Sequence, residues 1–92
     1  MRSIIKSSRF KKEFKRSLKR GCDPAKLAEV ISLLANDAPL PDRCRPHKLS
    51  GNYTGYWECH IEPDWLLVYE LNDEENLLEL VRTGTHSDLF KK

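Results

Sequence analysis

A chain of 92 residues, 39% hydrophobic and 33% charged, has room for one domain spanning residues 1–92, with a modest core that buries about 60–65% of the unfolded surface. No apolar run approaches the ~18–20 residues that cross a bilayer, and the basic N-terminus lacks the apolar stretch of a signal peptide. The net charge of +2 conceals a strong polarity: residues 1–20 carry nine Lys/Arg against Glu13 alone, whereas residues 58–79 carry eight acids and no Lys/Arg. A cationic end this dense attracts polyanions, of which nucleic acid is the commonest in a cytoplasm; a solvated helix face is the competing reading. Cys22, Cys44 and Cys59 form an odd set without C-x-x-C spacing, which points to a reducing cytoplasm and against a disulfide framework. The sequon Asn52-Tyr53-Thr54 is read as chance.

Residues 2–6, β-branched at Ile4 and Ile5, predict a brief strand. A helix follows, with Phe10, Phe14 and Leu18 at i, i+4, i+8 and basic residues around the rest of the cylinder. Ser7 or Ser8 supplies its cap and Gly21 its end. Asp23-Pro24 opens a second helix with an apolar stripe of Leu27, Val30, Ile31 and Leu34. The short connection predicts an antiparallel helix pair. Residues 37–54, with Pro39, Pro41, Pro46 and Gly51, read as a loop that carries His47.

From Gly55 the period changes to two. Tyr56, Glu58 and His60 point to one side, and Trp57, Cys59 and Ile61 to the other, as core. Pro63 and Asp64 suit the central positions of a type I turn closed between Glu62 and Trp65. In that register His60, Glu62, Trp65, Leu67 and Tyr69 share one face of a hairpin. Residues 65–71 are apolar on both parities, as a central strand is. Residues 72–76 form an acidic turn, 77–83 another strand, and 87–90 one helical turn. The order β-α-α-β-β-β gives an α+β fold, a mainly antiparallel sheet with a helix pair on one face and the other face free for a ligand.

All three histidines, His47, His60 and His86, follow residue 46 at loop or strand-end positions. Imidazole exchanges protons near neutrality; for each ring taken alone, a surface or capping role is the bland alternative. Metal-free cleavage of RNA needs a base for the 2′-hydroxyl, a cation for the phosphorane and an acid for the 5′-oxygen, roles that His, Asp and Arg can fill. An exposed aromatic such as Trp65 or Phe90 can stack a base, worth about 1–3 kcal/mol; core filling is the competing role for Trp65. No ligand pair has compact helical or C-x-x-C spacing, so neither a metal nor another cofactor is expected. Cys44, Cys59 and His60 lack the spacing of a thiol nucleophile site.

The segments His47-Lys48-Leu49-Ser50-Gly51, Tyr56, His60-Ile61-Glu62-Pro63-Asp64-Trp65-Leu66-Leu67-Val68-Tyr69 and Arg82-Thr83-Gly84-Thr85-His86-Ser87-Asp88-Leu89-Phe90 resemble the YafQ-type branch of the RelE/ParE toxin superfamily. The resemblance covers the whole chain in element order and length, and the H-x-E-P-D-W and R-T-G-T-H-x-x-L-F blocks are specific. It implies a RelE/ParE-like fold and a toxin of a type II toxin–antitoxin pair. It further implies a cytoplasmic endoribonuclease that cleaves mRNA in the ribosomal A site and is neutralised by a cognate antitoxin. Carried over by position, it implies His47, His60, Asp64 and His86 as the acid/base group, with His86 the general acid. Phe90 is then an associated site residue, Trp65 lies beside the substrate, and Arg82 stabilises the phosphate. The basic N-terminal helix would hold the domain against ribosomal RNA. Two alternatives stay open: a ParE-like toxin that binds a protein target such as gyrase, and a catalytically silent RNA- or antitoxin-binding module.

Overall fold

The computed structural model describes residues 1–90, and its first third is two helices capped by their own flanking residues. Strand β1 (Ser3–Lys6) runs directly into helix α1 (Ser8–Lys19). The Ser7 hydroxyl accepts the Phe10 N–H at 3.0 Å, and Gly21, at φ +92°, lets the chain leave the last turn. Helix α2 (Pro24–Ala35) begins in the same way. The Asp23 carboxylate accepts the Ala25 N–H at 2.9 Å, and Pro24 occupies a position whose N–H would have no partner.

Three further strands follow: β3 (Trp57–Glu62), β4 (Trp65–Asn72) and β5 (Leu77–Gly84), preceded by a two-residue β2 (His47–Lys48) and followed by helix α3 (His86–Phe90). The sheet order is β1-β5-β4-β3-β2; β1 pairs parallel with β5 and every other pair is antiparallel. This is the α+β fold expected, with one addition. The segment read as loop holds β2, too short and too close to Pro46 to show a period of its own. Its pairing of His47 with Glu58 and Lys48 with Trp57 brings His47 to the sheet edge.

Both helices cover one face. Phe10 from α1 and Leu27, Val30, Leu34 and Ala35 from α2 join Cys59, Ile61, Trp65, Leu67, Tyr69, Leu78 and Leu80 in a single buried cluster. Each fully buried aliphatic or aromatic side chain contributes about 1.5–3 kcal/mol. The stripe of α1 differs from the expected one. Glu13 and Ser17 are buried beside Phe10, while Leu18 is 40% exposed. The helix is rotated because the Glu13 carboxylate meets a buried arginine of β5, Arg82.

The hairpin face assignment also changes. Glu62 does pair with Trp65 across the Pro63-Asp64 turn, but His60 pairs with Leu66 and Cys59 with Leu67. The register shift between His60 and Glu62 absorbs one extra residue, Ile61, in β3. A shift of one residue exchanges the faces of every side chain beyond it. Trp65, Leu67 and Tyr69 therefore lie in the helix-side core, and His60 lies on the opposite face with Glu58. That opposite face is not wholly free. Leu66, Val68 and Leu89 form a second small core there, edged by Leu49, Tyr56, Val81 and Phe90, which leaves the His60 end of the sheet uncovered.

Candidate active site

At that end, four elements contribute polar side chains. Strand β3 presents Glu58 and His60 two residues apart, hence on one face. Short β2 brings His47, the β3–β4 turn carries Asp64, and α3 begins with His86. The His60 and His86 rings stand 5.5 Å apart, centroid to centroid, inclined at 74°. Behind His86, one Asp64 oxygen accepts both its backbone N–H at 2.9 Å and its ring Nδ1–H at 2.6 Å. An ionised carboxylate can only accept, so this contact places the proton on Nδ1 and leaves Nε2 turned outward. The His86 backbone N–H, and then its ring, hold the Asp64 carboxyl below its usual range.

Behind His60 stands Glu58, with its side chain only 5% exposed. Its Oε1 lies 3.7 Å from His60 Nε2 and 3.4 Å from His47 Nε2. The other nitrogen of His47, Nδ1, lies 3.0 Å from the Arg45 carbonyl oxygen. His47 is thus tied to the Arg45 carbonyl through one nitrogen and turned toward Glu58 with the other. The cluster reads in space as His47, Glu58, His60, His86, Asp64: two carboxylates, each backing an imidazole, with the two imidazoles facing one another.

Glu58 was not among the residues singled out from the sequence, although its i, i+2 spacing from His60 was visible. Asp88 was also passed over. Its carboxylate accepts from Arg20 Nη1 at 2.6 Å and from the Thr85 N–H at 2.9 Å, and lies 3.4 Å from Arg16. Its own N–H donates to the Thr85 hydroxyl at 3.1 Å. The Thr85/Asp88 pair is a reciprocal cap of α3, and Arg20 fastens that cap to α1. Arg20 first, and then the Thr85 groups, hold the Asp88 carboxyl well below the ordinary range. Gly84 is required at the approach, since a Cβ there would stand 2.9 Å from Asp88 Cβ.

Two expected site residues are placed elsewhere. Trp65 is 3% exposed, on the helix face, with its indole N–H donating to Thr83 Oγ1 at 2.9 Å. It has no free face on which a base can stack. Arg82 is 6% exposed and its donors are engaged. Nη2 and Nε donate to Glu13 at 2.6 and 3.2 Å, and Nη1 donates to Tyr53 Oη at 3.0 Å. Longer contacts reach the carbonyls of Asp88 and Leu89. Bonding to Glu13 raises the guanidinium pKa further. Arg82 is a buried clamp joining α1, the 51–53 turn and α3, with nothing left to offer a phosphate. Phe90 is half-buried, edge-on to Tyr53 at 6.0 Å, on the same side of the sheet as His60.

The acidic stretch now has partners. Glu58 and Asp64 belong to the cluster, Glu62 pairs with Lys26, and Asp73 with Arg2. Cys59 is fully buried, and burial pushes its thiol up to about 12, leaving it inert. Among the described residues no group of three or more His, Cys, Asp or Glu is arranged to hold a metal ion, and no helix is long and apolar enough to cross a membrane.

Comparison with known proteins gives this arrangement a context. The chain is 43% identical over 90 residues to the mRNA interferase toxin YafQ of Escherichia coli (strain K12), covering 97% of this chain and 96% of that protein. It superposes with a TM-score of 0.93 on the crystal structure of a metal-bound toxin from Helicobacter pylori, at 42% identity over 98% of this chain and 100% of that one. YafQ in the E. coli DinJ-YafQ toxin-antitoxin complex superposes with a TM-score of 0.86 at 43% identity, over 97% of both chains. The family described as "Bacterial toxin of type II toxin-antitoxin system, YafQ" matches residues 2–91. On this match the chain belongs to the YafQ family of type II toxin–antitoxin toxins.

Proposed function

We propose that this chain is a ribosome-dependent endoribonuclease that cleaves mRNA without a metal and is neutralised in the cytoplasm by a cognate antitoxin. The observation that carries the reading is the facing pair of carboxylate-backed imidazoles, His60 and His86, 5.5 Å apart. Membership of a toxin family whose relatives include an mRNA interferase and an antitoxin-bound YafQ supports it. The uncovered end of the sheet gives an RNA strand room to reach both rings.

In this reading His60 accepts the proton of the substrate's 2′-hydroxyl as that oxygen attacks the adjacent phosphorus. His86, starting as the imidazolium with its Nδ1–H held by Asp64, gives the proton on its outward Nε2 to the departing 5′-oxygen and is left neutral, so the P–O5′ bond breaks without an alkoxide leaving. The products are a 2′,3′-cyclic phosphate and a 5′-hydroxyl, and one proton has moved from 2′-oxygen to 5′-oxygen through the two rings. Asp64 fixes the tautomer of His86 and stabilises its charge, Glu58 at 3.7 Å stabilises the charge that His60 gains, and His47 completes the acid/base group beside Glu58. Phe90 lies on the substrate side with Tyr53.

The test is mRNA cleavage in a purified translation system, mapped by primer extension. His86→Ala lowers cleavage by about 10²–10⁴-fold, the range for loss of a general acid, and abolishes growth arrest on induction; a chelator selective for transition metals, added with Mg²⁺ kept at its working level for the ribosome, leaves the wild-type rate unchanged. Undiminished cleavage by His86→Ala rules out the acid, and cleavage abolished by that chelator and restored by a transition metal rules out the metal-free route. Growth arrest without any mRNA cleavage moves the reading to a protein-target toxin.

A further inference from the structure

The buried clamp of Arg82 leaves the cluster without the cation that the sequence assigned to phosphate, and a second feature beside it supplies one. Where β2 stops after pairing with Glu58 and Trp57, the rest of β3 is an open edge. There an open groove of about 700 Å³ runs between α2, the 42–45 segment and residues 60–63 of β3 and its turn. His60 lines it, so groove and cluster are continuous. Its basic residues are Lys26, Arg43 and Arg45, and its acids are Glu29 and Glu62. Lys26 is paired with Glu62, and Arg43 with Glu29 at 3.8 Å. Arg45 is exposed and has no carboxylate within 4.0 Å among the described residues. Its backbone, held at φ +44°, offers its carbonyl to His47 Nδ1 at 3.0 Å, so this residue is anchored to the cluster while its guanidinium stays available.

We propose that this groove takes the RNA backbone on one side of the scissile phosphate, with Arg45 as its phosphate-contacting cation and the Arg43–Glu29 pair as a looser second contact. The inference rests on the endoribonuclease reading and adds where the strand lies. A guanidinium with no carboxylate partner among the described residues, next to imidazoles poised for phosphate chemistry, suits a phosphodiester. The bound strand would leave the cluster past Arg45 toward α2, along the edge that β2 does not cover.

The probe is a short fluorescein-labelled, fully 2′-O-methylated oligoribonucleotide, which binds but cannot be cleaved, followed by anisotropy against salt. Arg45→Gln weakens binding for all sequences alike and lowers the slope of log affinity against log salt by about 0.7, the loss of one single-strand phosphate contact. Arg45→Lys restores most of both. In the translation system Arg45→Gln raises the KM for mRNA cleavage and leaves kcat within a few-fold, whereas His86→Ala lowers kcat and leaves oligonucleotide binding unchanged. Unchanged binding and slope in Arg45→Gln overturns the groove assignment, as does absence of wild-type binding at low salt. Weakened binding of the purified antitoxin with RNA binding intact makes the groove a protein site instead. Undiminished cleavage by His86→Ala sinks the catalytic reading while leaving the Arg45 result to be judged on its own.

Discussion

His86 donates twice to a single oxygen of Asp64, through its backbone N–H at 2.9 Å and its ring Nδ1 at 2.6 Å. The double contact fixes both the start of α3 and the tautomer of the ring that opens it. Asp64→Asn retains the shape but presents either an amide oxygen or an amide NH₂ to Nδ1, so Nδ1 no longer carries hydrogen by default and the imidazolium that gives up the Nε2 proton loses its carboxylate. The expected outcome is a fall in kcat of about 10²-fold or more with KM little changed. Ring ¹⁵N shifts of His86 check the tautomer directly. A variant with wild-type kcat would separate Asp64 from the reaction.

Trp65 provides a sharper contrast, because its expected and observed roles predict different readouts. Trp65→Phe removes the N–H donated to Thr83 and leaves that buried hydroxyl without one partner, costing about 1–2 kcal/mol of stability. The KM for RNA stays within a few-fold. A stacking role would reverse the pattern, with stability retained and RNA affinity reduced by about 1–3 kcal/mol. Denaturant midpoints and oligonucleotide binding, measured on the same preparation, decide between them.

The Arg82–Glu13 clamp predicts strong coupling. Removing either partner leaves a charge buried without its counterpart, so Glu13→Ala and Arg82→Met each cost about 3–5 kcal/mol. The double variant Glu13→Leu, Arg82→Met costs less than the two together, and chemical denaturation of the cycle measures the difference. If the double variant were as unstable as the sum of the singles, the pair would not be the reason Arg82 is buried.

What the residue pattern made legible was local, and what it hid was set by single tertiary contacts. Ser7, Asp23-Pro24 and Gly21 announce the helix ends because capping is a matter of a few neighbouring residues. The period-two strands and the Pro63-Asp64 turn were visible for the same reason. The faces of the hairpin were not, because nothing in the turn residues marks the register shift that absorbs Ile61, a residue buried in the helix-side core. The rotation of α1 onto Glu13 was hidden likewise, since it answers an arginine 69 residues away. The histidines were identifiable as chemistry-bearing side chains and the motif resemblance named them as a group. Their juxtaposition rests on pairings that no spacing encodes. Glu58 and Asp88 look like ordinary strand and helix positions in the sequence, since one carboxylate among fourteen acids carries no mark of what it will face.

The cap of α3 gives a pH dependence with a definite sign. Arg20 and the Thr85 groups hold the Asp88 carboxyl below its usual range, so the folded state binds this proton less readily than the unfolded chain does. Its contribution to stability is complete above the ordinary carboxylate value of about 3.9 and is lost as pH falls through the lower folded value. The wild type therefore loses unfolding free energy below about pH 4 more steeply than Asp88→Asn, whose side chain does not titrate. At neutral pH the variant is less stable by about 1 kcal/mol, as for a lost cap. The difference shrinks toward pH 2–3. Because Asp88 also orients the turn that begins with His86, Asp88→Asn lowers kcat at neutral pH, and Asp88→Glu recovers part of it. Urea titrations at several pH values test the first claim. Parallel acid limbs for wild type and variant would show that Asp88 is not the group being protonated.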